Sequence, residues 1–306
     1  MALSDASGAI AGTAGASHRP LRLSSITPAS RYYWLRLLLE NPAVLASLGF
    51  LVVVGLLGVL APLIATTEPD YVNPVVRLEG PSSDYWFGTD DLGRDVFSRA
   101  IHGGRISLLV GVTVMIGATL LGSVIGLLAG YYRRIDTLLM RIMDGLEAFP
   151  SILLAIAIMA TFGAATRNVI LALSVVFTPN IARVVRSTTI MNRGQPYVES
   201  AQAIGLGDFA ILLRYIFMNS LSPLIVQATF VIAFGILAEA SLSFLGAGVP
   251  PDTPTWGSMV SSGQPRLQQA WWISVFPGSF LFATVLAFNL IGDGLRDALD
   301  PRSRKR

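Results

Sequence analysis

Val44-Leu45-Ala46-Ser47-Leu48-Gly49-Phe50-Leu51-Val52-Val53-Val54-Gly55-Leu56-Leu57-Gly58-Val59-Leu60-Ala61-Pro62-Leu63-Ile64 carries no charge over 21 residues. At about 1.5 Å per residue, a helix of that length crosses the ~30 Å hydrocarbon layer of a bilayer. Five further apolar runs follow, at about 106–130, 149–162, 168–182, 221–245 and 273–291. The pattern predicts an all-α, polytopic membrane protein with six transmembrane helices. Two of the runs, 149–162 and 168–182, are short. Residues 140–146 extend the first of them, and Val184-Val185 the second.

Composition agrees, with 53% hydrophobic and 13% charged residues, a balance that a soluble domain does not show. There is no cysteine, which excludes disulfides and thiolate chemistry. Residues 1–30 are rich in Ala, Ser and Gly, hold one acid, Asp5, and lack apolar periodicity, which predicts a disordered tail. A signal peptide needs an apolar core near the N-terminus, whereas the first such run starts at Val44 and is long enough to span, so it reads as an uncleaved helix.

Arginine sets the orientation. With the N-terminus inside, 16 of the 22 Lys/Arg fall before the first span, after the second, after the fourth and after the sixth. By the positive-inside rule, both termini and the segment 183–222 face the cytoplasm. The predicted layout is therefore a cytoplasmic tail over 1–30, a first span and outer loop over 31–105, a five-span core over 106–292 containing the loop 183–222, and a cytoplasmic tail over 293–306. The outer loop is acidic, holding Glu68, Asp70, Glu79, Asp84, Asp90, Asp91 and Asp95.

The loop 183–222 is the one long polar interval that still reads as folded. Pro196 suits a first helical position, and Glu199 then lies in the first turn, where the helix dipole favours a negative charge. Gly205-Leu206-Gly207 tolerates the φ > 0 that stops a helix, and Asp208 reads as the N-cap of a second one running through Phe209 to Arg214. This predicts a helix-turn-helix elbow, and on local pattern alone an ordinary solvated loop fits it too.

Glu199-Ser200-Ala201 followed by Gly205 resembles the Glu-Ala-Ala segment of the membrane subunits of bacterial ABC importers, with Ser for the middle Ala. Phe217-Met218 stands where that segment usually has Leu-Pro, whereas Asn219, Leu221 and Pro223 fit its peptide-transporter variant. Phe87-Gly88-Thr89-Asp90-Asp91-Leu92-Gly93-Arg94-Asp95 with Gly104-Arg105-Ile106-Ser107-Leu108 resembles the segment before the second span of dipeptide, oligopeptide and nickel permeases. So do Glu239-Ala240-Ser241-Leu242-Ser243-Phe244-Leu245-Gly246 with Trp256-Gly257, and Gly292-Asp293-Gly294-Leu295-Arg296-Asp297. Their order is similar to that of the shorter, second permease subunit.

The resemblance implies a type I-like ABC importer permease in the inner membrane. It would pair with a second homologous permease, two ATPase subunits and an extracytoplasmic solute-binding protein, among membrane lipid and with no nucleic acid. It also implies that the elbow is a coupling helix seated in a groove of the ATPase, with Glu199, Ala201, Ile204, Gly205, Leu206, Gly207, Asp208, Phe209 and Arg214 at that contact. The resemblance further implies no cofactor, metal or catalytic residue in this chain, with ATP and Mg bound by the partner subunits. Peptides are the commonest cargo of such systems, with nickel chelates, glutathione, opines and sugars as alternatives.

Absent residues narrow the chemistry. The only lysine is Lys305 and no Gly-rich run precedes it, so the chain has no P-loop. His18 and His102 are the only histidines, too few and too far apart for a zinc site or a triad. Asp90, Asp91 and Asp95 suit a hard cation by spacing, but the stronger reading is structural: Thr89 to Asp91 offer caps and turn acceptors, with Arg94 and Arg99 at hand to neutralise the charge. Glu239, near the outer end of its span, reads as either a functional acid or a packing residue. An ion-coupled secondary transporter needs ion-coordinating residues near mid-membrane, which the runs almost lack. Pro150 and Pro179 are expected to interrupt the two short spans. With the third to fifth spans lining half of a pathway, Thr178, Asn180 and Gln227 are its candidate polar contacts.

Overall fold

The computed structural model describes Leu38, residues 40–250 and residues 252–299. The tail read over 1–30 and residues 300–306 lie outside that set. Helix α1 (Pro42–Val59) starts where the Asn41 side chain accepts from the Ala43 and Val44 amides, and a one-turn helix α2 (Ala61–Ile64) follows it. Then come α3 (Val96–Tyr131), α4 (Arg133–Glu147), α5 (Ser151–Phe162), α6 (Thr166–Arg193), α7 (Pro196–Ala203), α8 (Asp208–Phe244), α9 (Trp256–Gly263) and α10 (Trp272–Leu299). Five of these, α1, α3, α6, α8 and α10, are long and apolar enough to cross a membrane; α4 and α5, bent by 92° at their junction, make a sixth if the pair is one span.

Several expected boundaries move. The outer loop gives up residues 96–105 to α3, because Asp95 caps that helix and its first turns carry a buried face of Val96, Phe97, Ala100 and Ile101. Residues 140–146 do not prolong α5 in a straight line, since the chain breaks at Ala148-Phe149-Pro150 and turns. Pro150 disfavours helical backbone in the residue before it, consistent with a boundary there. Pro179, by contrast, interrupts nothing: α6 runs through it for 28 residues. One proline removes one N–H, and packing along α3 carries the helix past it. The segment 183–222 contracts to an elbow of about 194–207, since α6 continues to Arg193 and α8 begins at Asp208. The second elbow helix is thus the start of the next span, joined through a π-helical stretch, Leu212–Phe217. Likewise α10 continues through 293–299, where a tail was expected.

The core of the bundle is the α3–α6 contact. Gly122, Gly126 and Gly130 recur every four residues along one face of α3. A Cβ on Gly126 would stand 2.5 Å from the Ala182 carbonyl oxygen, and one on Gly130 would stand 2.6 Å from the Thr189 Cβ. Only glycine lets two membrane helices approach so closely, and dispersion across such a contact holds spans together where lipid offers no hydrophobic drive. Val110, Val114, Ala118, Val169, Leu173 and Ile181 fill the rest of this core. Helix α4 is tied to α6 by ion pairs: Arg186 donates twice to Asp136, at 2.6 and 2.7 Å, and Arg183 reaches Asp144 at 2.9 Å and also Glu147.

At the end of the bundle away from the elbow, the acidic cluster is used locally. Asp90 accepts from the Leu92 and Arg94 amides and from Arg94 Nε, while Asp95 caps α3 and accepts from the Ser98 and Thr66 hydroxyls. Arg99 donates to the Pro69 carbonyl and to Asp70. Among the described residues, no group of three or more His, Asp or Glu is placed to hold a metal ion. Buried Glu239 accepts from the Ser243 and Thr255 hydroxyls at 2.8 and 3.0 Å, which ties α8 to the N-cap of α9. Trp256 donates its indole N–H to the Ala100 carbonyl, and Trp272 donates to that of Thr89, so both α9 and α10 are pinned to the α3 end.

Candidate functional site

The elbow is built from a turn, an eight-residue helix and a second turn. Gln195, with extended backbone, precedes Pro196 at the first helical position of α7, and Glu199 lies in the first turn. The helix stops where Gly205 takes φ +82°, the left-handed conformation that glycine adopts without a Cβ penalty. There the Leu206 amide donates to the Ala201 carbonyl and the Gly205 amide to that of Gln202. This is the Schellman closure, in which the residue after the glycine folds its side chain back onto the last turn. Leu206 does so, packing beside Ala201.

That geometry sorts the residues assigned to a docking surface. Ile204 and Phe209 are each 77% exposed, and Leu213 on the next turn is also exposed. Glu199 and Arg214 are exposed, with no ion pair to each other. Leu206 is only half-exposed, and Ala201 is 3% exposed and faces inward, so it cannot touch a partner in this conformation. Gly207 occupies the N-cap position of α8 with φ −68°; its conformation does not require glycine.

Asp208 is not the N-cap expected of it. Its side chain turns back to the end of α3, where the Tyr131 hydroxyl donates to Oδ1 at 2.9 Å and the Tyr132 hydroxyl to Oδ2 at 3.0 Å. The hydrogen bond to Asp208 raises the Tyr132 hydroxyl above its ordinary pKa. Arg193 donates to the Tyr131 carbonyl at 2.7 Å, and Gln202 lies 3.5 Å from the Tyr131 hydroxyl. The Tyr131 ring is buried with Val198 and Ala201 of α7 and Ile211, Leu212 and Ile216 of α8. The elbow therefore has its own small core, and α3 supplies part of it. The sequence reading missed Tyr131, Tyr132 and Arg193; the pair of tyrosines before Arg133-Arg134 marks a span's end, but nothing local connects it to Asp208.

The pathway candidates separate as well. Thr178 is 3% exposed and donates to the Ser174 carbonyl within α6, so it faces the packed helix contact and not an open path. Asn180 is exposed on α6. Gln227 lines a groove of about 610 Å³ between α6, α8 and α10, with Thr188, Asn219 and Arg296 among its polar walls.

Comparison with known proteins meets this geometry at one point. A family model for the inner-membrane component of binding-protein-dependent transport systems matches residues 85–305, from the outer loop through the elbow to the chain's end. The chain belongs to that family. As an ABC importer permease it is a multi-pass protein of the inner membrane and one subunit of a multi-subunit complex, not a free-standing enzyme. The permease is 46% identical over 267 residues to a putative peptide transport system permease of Brucella abortus biovar 1, covering 87% of this chain and 90% of that one. It is 45% identical to a dipeptide transport system permease of Alkalihalophilus pseudofirmus, covering 85% and 86%, and 41% identical to a glutathione transport system permease of Pectobacterium atrosepticum, covering 92% and 94%. A crystal structure of an amino acid ABC transporter with histidines matches with a TM-score of 0.51 at 15% identity, over 66% of this permease and 95% of that chain; the likeness is one of fold.

Proposed function

We propose that this permease forms half of a translocation pathway for peptides or similar small solutes, in an importer powered by cytoplasmic ATPase subunits. A second homologous permease supplies the other half, and an extracytoplasmic binding protein delivers the solute. Both termini and the elbow face the cytoplasm, as the arginine distribution favours. The observation that carries the coupling role is the contrast within the elbow: its internal core is complete, yet Ile204 and Phe209 stand outside it, 77% exposed each. Adjacent exposed apolar side chains on a rigid turn fit an anchor in a partner's groove. Glu199 and Arg214 flank that anchor and set its orientation.

Peptide cargo is supported by the names of relatives at 45–46% identity, and the glutathione relative at 41% is a tripeptide carrier of the same chemical class. Asn180, exposed on α6, and Gln227, in the groove, are the candidate polar contacts for a solute, with the third to fifth spans as pathway walls. Co-expression with the cognate ATPase subunits tests the coupling: the subunits co-purify, and the permease hydrolyses no ATP by itself. Hydrolysis by the isolated permease, or failure to co-purify, overturns the reading. Titrating the cognate binding protein against di- and tripeptides, nickel chelates, opines and sugars tests the cargo; binding of a non-peptide alone overturns that part.

A further inference from the structure

Besides the small core packed around Tyr131, the elbow has three attachments to the bundle, and the third is the least expected. Two are covalent, through α6 and α8, and each has a joint: Gly194-Gln195 before α7, and the left-handed Gly205 after it. A short helix held only at these two joints would absorb a push by swivelling. The third attachment is Asp208, both of whose carboxylate oxygens are engaged by α3 hydroxyls, 2.9 Å from Tyr131 and 3.0 Å from Tyr132. Arg193, the last residue of α6, holds the Tyr131 carbonyl at 2.7 Å. Tyr131 therefore sits where the ends of α3, α6, α7 and α8 meet, inside the elbow's core. Beyond it, α3 and α6 are in backbone contact at Gly122, Gly126 and Gly130.

We infer that Asp208 is a positioning residue that clamps the elbow to the end of α3 through Tyr131 and Tyr132, so that movement of the elbow is delivered to the α3–α6 pair. This rests on the reading that the elbow meets an ATPase, and it removes Asp208 from the docking surface itself. Asp208 is exposed, yet each of its carboxylate oxygens already accepts from an α3 hydroxyl, so the side chain is directed at α3. A packed element with a defined hydrogen-bonded junction transmits displacement, whereas a helix held only through its two chain connections does not.

The test uses the whole complex in proteoliposomes with its binding protein. Five variants are compared with the parent: Tyr132→Phe, Tyr131→Phe/Tyr132→Phe, Asp208→Ala, Tyr132→Phe/Asp208→Ala and Phe209→Ala. The four clamp variants are expected to retain the ATPase subunits through purification. In the double tyrosine variant and Asp208→Ala, solute imported per ATP hydrolysed should fall at least fivefold, and stimulation of hydrolysis by the binding protein should be lost. Tyr132→Phe removes only an exposed hydroxyl and leaves the ring in place, so it cannot fail by misfolding, and an intermediate loss is expected from it. Adding Tyr132→Phe to Asp208→Ala should cause no further loss, since both break one junction. Loss of the ATPase subunits from the clamp variants would make Asp208 a docking residue and overturn the proposal, as would an unchanged transport-to-hydrolysis ratio. Retention of the ATPase and full uptake by Phe209→Ala would instead count against the elbow as the docking site, independently of the clamp.

Discussion

Replacing Phe209 by alanine separates docking from folding more cleanly than any other change in this permease. The ring is 77% exposed, so its removal takes almost nothing from the elbow's own core, which is built on Val198, Ile211, Leu212 and Ile216. Full burial of a phenylalanine is worth about 1.5–3 kcal/mol, and roughly three-quarters of that is still to be gained by this ring in a partner's groove. The expected loss is therefore about 1.2–2.3 kcal/mol, or about 7- to 50-fold in affinity for the ATPase. Rim ion pairs are worth under about 1 kcal/mol, so Glu199→Gln and Arg214→Gln should each cost less than about fivefold and lose part of that in high salt. Affinity is read by titrating detergent-solubilised permease complex against labelled ATPase subunit, with membrane abundance as the folding control. A Phe209→Ala complex that binds like the parent, alongside strong losses in Glu199→Gln or Arg214→Gln, would refute the argument that apolar anchoring dominates.

Gly205→Val should strain the left-handed turn at φ +82° by about 1–2 kcal/mol, although no atom stands within 4 Å of an added Cβ; uptake falls while Gly205→Asn, which tolerates that conformation, stays near the parent. Gly126→Leu should prevent the close approach of α3 and α6, since even a Cβ would lie 2.5 Å from the Ala182 carbonyl oxygen; the measurable result is loss of the permease from the membrane, and normal abundance would contradict the packing argument. In a functional complex, Asn180→Cys and Gln227→Cys should react with a water-soluble thiol reagent in a transport-dependent way, whereas Thr178→Cys, buried between α3 and α6, should stay protected. Ser200→Cys should label only from the cytoplasmic side, and labelling from outside would reverse the topology.

What the sequence determined by itself was the content that neighbouring residues encode. The apolar runs are spans because crossing a bilayer is a matter of length and hydropathy, and all five of the long helices lie over them. Pro196 begins a helix and Gly205 ends it because φ preferences act within a residue or two. The tertiary structure decided everything that depends on direction. Hydropathy cannot say which way a side chain points, so Thr178 and Ala201, plausible as polar and docking contacts, are in fact buried. It also cannot say that Gly122, Gly126 and Gly130 meet α6, although their spacing of four places them on one face. Asp208 is the clearest case: a good N-cap by its local chemistry, it finds two tyrosine hydroxyls at the end of a distant helix. Local propensity ranks the bonds a residue can make with its neighbours; only the packed bundle brings the competing partner within 3 Å.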